Sequence, residues 1–107
     1  MVDDAIVKIV RKCLAALPGY GIHAQKAVLY GSYARGEERE ESDIDILVIA
    51  PEFDETRSVD VVKKLWRATS AADNRIEPVA CGEKEWVEND SCTIIEMARR
   101  EGIMIAA

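Results

Sequence analysis

Ala27-Val28-Leu29-Tyr30-Gly31-Ser32-Tyr33-Ala34-Arg35-Gly36 and, past a run of glutamates, Ser42-Asp43-Ile44-Asp45-Ile46-Leu47-Val48-Ile49-Ala50 are the two stretches that decide how this chain folds. Ala27 to Tyr30 is a short apolar and aromatic run stopped by a glycine, the pattern of a buried strand. Ile44 to Ala50 is a strongly β-branched run closed by Pro51, which predicts a second strand. Between them, Glu37 to Glu41 carries four glutamates and Arg39 and reads as a solvated loop. Side chains alternate faces along a strand, so Asp43 and Asp45 project to one side, and Leu47 and Ile49 continue that face into the core.

Two ionised carboxylates held this close repel each other unless a cation or a proton compensates. Their hard oxygens suit Mg²⁺ bridging to phosphate better than zinc. Gly31 lets the backbone approach a phosphate closely, the Ser32 hydroxyl and neighbouring N–H groups can donate to its oxygens, and a short helix starting there would add its dipole. Gly31 and Ser32 are therefore a candidate seat for a triphosphate, and Asp43 and Asp45 a candidate metal pair. Either half alone also matches a strand-ending turn or an acid-rich loop; the two together carry the reading.

Outward from this centre, the chain alternates between helical and extended patterns. Ile6, Ile9, Val10, Cys13, Leu14 and Leu17 recur at three-four spacing after Asp3 and Asp4, which can cap an amphipathic helix, and Pro18-Gly19 is expected to end it. From Asp54 a second helical pattern places Val59, Val62, Leu65, Trp66 and Thr69 on one face and ends near Asp73-Asn74. Arg75 to Cys81 predicts a third strand, in which Pro78 cannot donate to a ladder and so suits an edge or a break. Ser91 is placed to cap a last helix containing Ile94, Ile95 and Ala98, with Arg99 and Arg100 in its final turn and Gly102 at C′; Ile103 to Ala107 is a tail or short strand. This order predicts a small α/β (α+β) domain with helices packed on a mixed sheet.

The composition narrows the function classes. The chain has 107 residues, room for one domain of the usual 50 to 200 or so. With 49% hydrophobic and 32% charged residues, it holds enough apolar material for a core. Lys and Arg number 14 against 20 Asp and Glu, and the net charge of −6 disfavours sequence-independent binding to duplex nucleic acid. No apolar run approaches the roughly 18 residues that span a bilayer, and Met1-Val2-Asp3-Asp4 lacks the basic start of a secretory signal, so a cytoplasmic protein is expected. Cys13, Cys81 and Cys92 have neither CxxC spacing nor a nearby histidine and read as reduced, mostly buried thiols.

Gly31-Ser32-Tyr33-Ala34-Arg35-Gly36 and Ser42-Asp43-Ile44-Asp45-Ile46-Leu47-Val48 resemble the signature of the polymerase-beta-like nucleotidyltransferase superfamily. The short chain, without an appended helical domain, is similar to its minimal nucleotidyltransferases. The resemblance covers most of the chain, and residues 1–107 are read as one nucleotidyltransferase domain. It implies transfer of AMP from ATP to a hydroxyl, with two Mg²⁺ ions held by Asp43, Asp45 and a third carboxylate on a neighbouring strand. That third position falls best on Glu77, where many relatives have aspartate. Asp43, Asp45 and Glu77 would then be catalytic residues and metal ligands, and Gly31, Ser32 and Arg35 would contact the triphosphate.

The resemblance also implies a partner, since minimal nucleotidyltransferases are commonly paired with a small helical HEPN protein, as antitoxin to an RNase toxin. The acceptor would then be a hydroxyl on that partner. The alternative is a binding module of the same fold that masks a partner without turnover, which the −6 charge favours for a basic surface. Self-association is left open. Among the remaining residues, Arg39 reads as solvated, Tyr33 as packing, Trp66 and Trp86 as core or interface, and His23 as having no catalytic role.

Overall fold

The computed structural model describes residues 4–39, 42–55, 57–88 and 92–107. Its elements, in chain order, are α1 (Asp4–Ala16), a 3-10 turn (Leu17–Tyr20), β1 (Lys26–Tyr30), α2 (Ser32–Arg35), β2 (Ile44–Ile49), α3 (Glu52–Glu55), α4 (Val59–Ala72), β3 (Ile76–Cys81), α5 (Glu83–Glu88), α6 (Thr93–Glu101) and β4 (Ile103–Ala106). The strands form one mixed sheet in the order β3-β2-β1-β4. β1 is antiparallel to both β2 and β4, whereas β2 and β3 run parallel and are joined through α4. A parallel pair needs a crossover of this kind, and α4 supplies it.

The two faces of the sheet are buried separately. Ala27, Leu29, Ile44, Ile46, Val48 and Ile76 meet α1 and α4 in the larger core, with Ile6, Val10, Leu14, Leu65 and Ala68 opposite. Val28, Tyr30, Leu47, Ile49 and Cys81 point the other way and meet Ile95 and Ala98 of α6. Leu47 and Ile49 thus do carry the face of Asp45 into a core, as the alternation predicts. β3 is an edge strand, which accommodates Pro78.

Several expectations are corrected. The α-helix from Asp4 does end at Pro18-Gly19, its last residue being Ala16, but the chain runs on through the 3-10 turn that contains this pair before Gly21 (φ 79°) closes it. The pattern from Asp54 is two helices: α3 buries Phe53, and Ser58 caps α4 by accepting from the Val61 N–H. The buried face of α4 is Leu65, Ala68 and Thr69, with Val61 and Ala72 beside them, while Val59 is 69% and Trp66 43% exposed. Spacing of 61, 65, 68 and 72 follows the 3.6 period more closely than the one read from the large side chains. α5 carries no apolar signal in the sequence, since its Glu-Lys-Glu-Trp-Val-Glu run buries no residue fully.

The proposed caps at Asp3 and Ser91, and Glu40 and Glu41 of the loop, lie outside the described residues. Cys92 occupies the N-cap of α6. Gly102 follows α6 with ordinary extended dihedrals, φ −77° and ψ 161°. Its requirement is space, because a Cβ there would collide with the Ala98 carbonyl and the Val28 side chain. The tail from Ile103 is a true strand, paired with β1 from Leu29↔Ile103 to Lys26↔Ala106. The three cysteines form no disulfide; burial pushes the thiols of Cys13 and Cys81 up to about 11.

Candidate active site

β1 delivers the chain out of the core at Gly31, whose φ of 78° and ψ of −150° lie where essentially only glycine is tolerated. A Cβ at this position would stand 2.5 Å from Asp45 Oδ2. The glycine therefore permits both the backbone turn and the close seating of an Asp45 carboxylate oxygen against it. The single helical turn α2 follows, with the Arg35 N–H donating to the Gly31 carbonyl at 3.1 Å and Gly36 closing it at φ 71°. Tyr33 anchors this turn in the larger core at 7% exposure, and its hydroxyl accepts from Arg75 Nη1 at 3.3 Å. Ser32 remains partly exposed at the start of the turn. Tyr33 is thus packing, as expected.

The parallel register places Asp45 beside Glu77, and the antiparallel one places Tyr30 beside Asp45. Residues directly opposite one another in adjacent strands share a face. Tyr30, Asp45 and Glu77 consequently form a row across three strands on the α6 side of the sheet. Asp43, two residues before Asp45, lies close enough to Glu77 to be the main cause of that carboxyl's raised proton affinity. The structure thereby brings Asp43, Asp45 and Glu77 together from two elements. Asp43 and Glu77 are exposed and Asp45 is half-buried.

Their electrostatics are those of negative groups held together. Burial first, and then Asp43, hold the Asp45 carboxyl above the usual carboxylate range, partly offset by Arg35. Asp43 first, then burial and Asp45 do the same for Glu77. The Tyr30 phenol is pushed up to about 12 by burial, Asp45 and Glu77. A cation at this spot would relieve all three groups.

Among the described residues no trio of His, Cys, Asp or Glu side chains is arranged to hold a metal ion unaided, and no enclosed cavity surrounds the acids. This is compatible with Mg²⁺, which is usually held by one or two carboxylates together with substrate phosphates and water, rather than by an all-protein cage. The donor set of oxygens and the mutual repulsion of the acids fit that ion.

Arg35 is brought near the acids but is engaged elsewhere. Its Nε donates to Glu37 Oε1 at 2.7 Å and its Nη1 to Glu101 Oε1 at 3.0 Å, and these two carboxylates raise its pKa. Exposed pairs of this kind contribute little to stability, so the arrangement orients the guanidinium more than it holds the fold. Arg39 closes the acidic loop with its backbone, its N–H donating to Ser42 Oγ at 2.6 Å. His23 lies apart, joined to Glu52 at 2.8 Å. Trp86 is half-buried against the smaller core with the Arg99 guanidinium 5.4 Å from its ring centre.

Two neighbours of the acids are not evident from the sequence. Glu101 reaches Arg35 across 66 positions, and no local pattern announces it. Tyr30 stands immediately before Gly31 at the end of a strand, but only the pairing register puts it beside Asp45.

A family described as "Nucleotidyltransferase domain" matches residues 7–90. Two proteins of Methanocaldococcus jannaschii share part of the sequence. "Putative protein adenylyltransferase MJ0435" is 46% identical over 54 residues, covering 50% of this chain and 53% of that protein. "Putative protein adenylyltransferase MJ0604" is 41% identical over 59 residues, covering 54% and 58%. The matched stretch thus spans little more than half the length of these relatives.

Three solved structures share the fold. One is "a putative nucleotidyltransferase from Sulfolobus solfataricus", with a TM-score of 0.64 and 17% identity, covering 94% of this chain and 78% of that one. A toxin–antitoxin structure with AMP-PNP gives 0.62 and 23%, covering 92% and 71%. A mutant of the toxin–antitoxin MntA–HpeT gives 0.53 and 20%, covering 98% and 73%.

Proposed function

The chain belongs to the nucleotidyltransferase domain family, and from that premise we propose that it is a Mg²⁺-dependent enzyme that transfers AMP from ATP to a hydroxyl of a partner protein. The observation that carries this reading is the row of carboxylates on adjacent parallel strands, seated beside the glycine turn. The names of the Methanocaldococcus relatives support protein adenylylation, and the structural neighbour with AMP-PNP supports ATP as donor. The toxin–antitoxin neighbours support a partner protein and an antitoxin role; a HEPN-type toxin as the acceptor is what the sequence resemblance implies. No helix among the described residues is long and apolar enough to cross a membrane; a cytoplasmic setting belongs to the same reading.

In this mechanism Asp43, Asp45 and Glu77 would hold the metal. The chemistry that Mg²⁺ would supply there is a more acidic acceptor hydroxyl and neutralisation of the pyrophosphate's charge. Gly31 and Ser32 receive the β- and γ-phosphates through the backbone and the hydroxyl, without a side chain at Gly31 to keep the phosphates away. Arg35, held from behind by Glu37 and Glu101, adds positive charge on the same side. The acceptor oxygen attacks the α-phosphorus, the bond from that phosphorus to the β-phosphate oxygen breaks, and pyrophosphate leaves with the electron pair. The acceptor's proton passes to Glu77, the carboxylate that the parallel register sets beside Asp45.

The test is incubation of the complex from its native cell with Mg²⁺ and ATP labelled at the α-phosphate. The partner should gain label, and the double variant Asp43→Asn/Asp45→Asn should abolish the transfer. Glu77→Gln should lose transfer while keeping most of the nucleotide affinity. A wild-type complex that stays tight yet never acquires label would overturn the enzymatic reading in favour of neutralisation by binding alone.

A further inference from the structure

Tyr30 stands out among the polar side chains. It is 8% exposed, with its ring in the smaller core beside Leu47, Ile95 and Ala98. Buried tyrosine hydroxyls normally find a hydrogen-bond partner. The hydroxyl of Tyr33, one turn away, has found Arg75. The Tyr30 hydroxyl has no such partner among the described residues. Nor is it sealed in, since among the described residues no buried side-chain oxygen or nitrogen lacks a partner. The ring is therefore enclosed while the oxygen emerges at the surface.

The place where it emerges is defined by the register. Tyr30 is opposite Asp45, Asp45 is opposite Glu77, and all three side chains rise from one face. The fields of both acids reach the phenol. Tyr30 is also directly joined to Gly31, the start of the proposed phosphate seat. A neutral donor, fixed by its buried ring and left unbonded at this point, is suited to an anionic oxygen lying over the carboxylate row.

We propose that Tyr30 is a substrate-contacting residue, whose hydroxyl donates a hydrogen bond to a phosphate oxygen of the bound triphosphate. The inference rests on the nucleotidyltransferase reading above and adds to it a binding group outside the glycine-serine and carboxylate motifs. Because the ring is enclosed, the donor is already oriented before the ligand arrives, and little side-chain freedom is lost on binding.

Tyr30→Phe removes the oxygen and keeps the ring. Two probes, a non-hydrolysable ATP analogue and inorganic tripolyphosphate, each with Mg²⁺, are titrated calorimetrically into wild type and variant, and the thermal midpoint of each protein is measured without ligand. The expected result is about tenfold weaker binding of both probes by the variant, the usual effect of one hydrogen bond to a charged group, with an unchanged midpoint. Equal affinities in wild type and variant would overturn the assignment. So would a loss confined to the nucleotide, which would put the hydroxyl on the sugar or base, or a lowered midpoint, which would make it a structural group. A wild type that binds neither probe would instead overturn the nucleotidyltransferase reading itself.

Discussion

Gly31→Ala tests the join between fold and site most directly, because one methyl group opposes both the backbone and Asp45. At φ 78° and ψ −150° a non-glycine residue carries strain of about 1–3 kcal/mol. The new Cβ would also lie 2.5 Å from Asp45 Oδ2 and 3.3 Å from its Cγ, where ordinary contacts begin near 3.4 Å. Moving the oxygen away by roughly 1 Å drives Asp45 from its preferred rotamer, adding about 0.5–1.5 kcal/mol. The variant should therefore be destabilised by about 2–4 kcal/mol. A displacement of this size at a carboxylate proposed to hold the metal should also lower transfer by about a hundredfold.

Gly36→Ala is the control. It too has a positive φ, 71°, but nothing lies within 4 Å of a Cβ there, so only the left-handed strain of roughly 1–2 kcal/mol applies. Urea unfolding followed by circular dichroism gives the stabilities, and calorimetric titration with Mg²⁺ and an ATP analogue reports the site. Equal destabilisation by the two substitutions, or normal ligand binding by Gly31→Ala, would refute the argument that Gly31 is required by Asp45 as well as by the turn.

Other consequences are open to simpler measurements. Asp45 and Glu77 both hold protons more tightly in the folded chain than an ordinary carboxylate does, so their contribution is full below about pH 4 and is lost as pH rises through their raised values. Asp45→Asn should accordingly melt above wild type at pH 7 without Mg²⁺; the difference should vanish near pH 3 and narrow when Mg²⁺ is added, and scanning fluorimetry reads all three. Gly102→Ala, blocked by the Ala98 carbonyl and the Val28 side chain at an ordinary φ, should cost about 1–3 kcal/mol in urea unfolding, the usual range for overpacking. Arg35→Ala removes two exposed pairs and should change stability by less than about 1 kcal/mol, while raising the KM for ATP in the transfer assay.

The amino-acid order made the centre of the domain legible because its signals are local. A glycine after a buried apolar run marks the end of β1, and β-branched residues bounded by Pro51 mark β2. The alternation of side chains alone puts Asp43 and Asp45 on the face that continues into Leu47 and Ile49. Pro78 correctly placed β3 at an edge. Where local signals were weak or misleading, the reading failed. Of the face expected for α4, Leu65 and Thr69 are buried, whereas Val59 and Trp66 turn outward because Ala68 fills the packed position beside them. α5 shows no apolar stripe to recognise.

What the sequence by itself determined is thus the set of short elements, the paired aspartates and the glycine turn, each governed by interactions spanning only a few residues. Only the tertiary structure decided which strand lies beside which. Strand neighbours are chosen by burial of two opposite faces, and that choice sets Asp45 beside Glu77 and Tyr30, lays α6 over the same side and brings Glu101 to Arg35. Tyr30, the aspartate pair and Glu77 are separated along the chain, and their shared field exists only after parallel and antiparallel registers have placed them in one row.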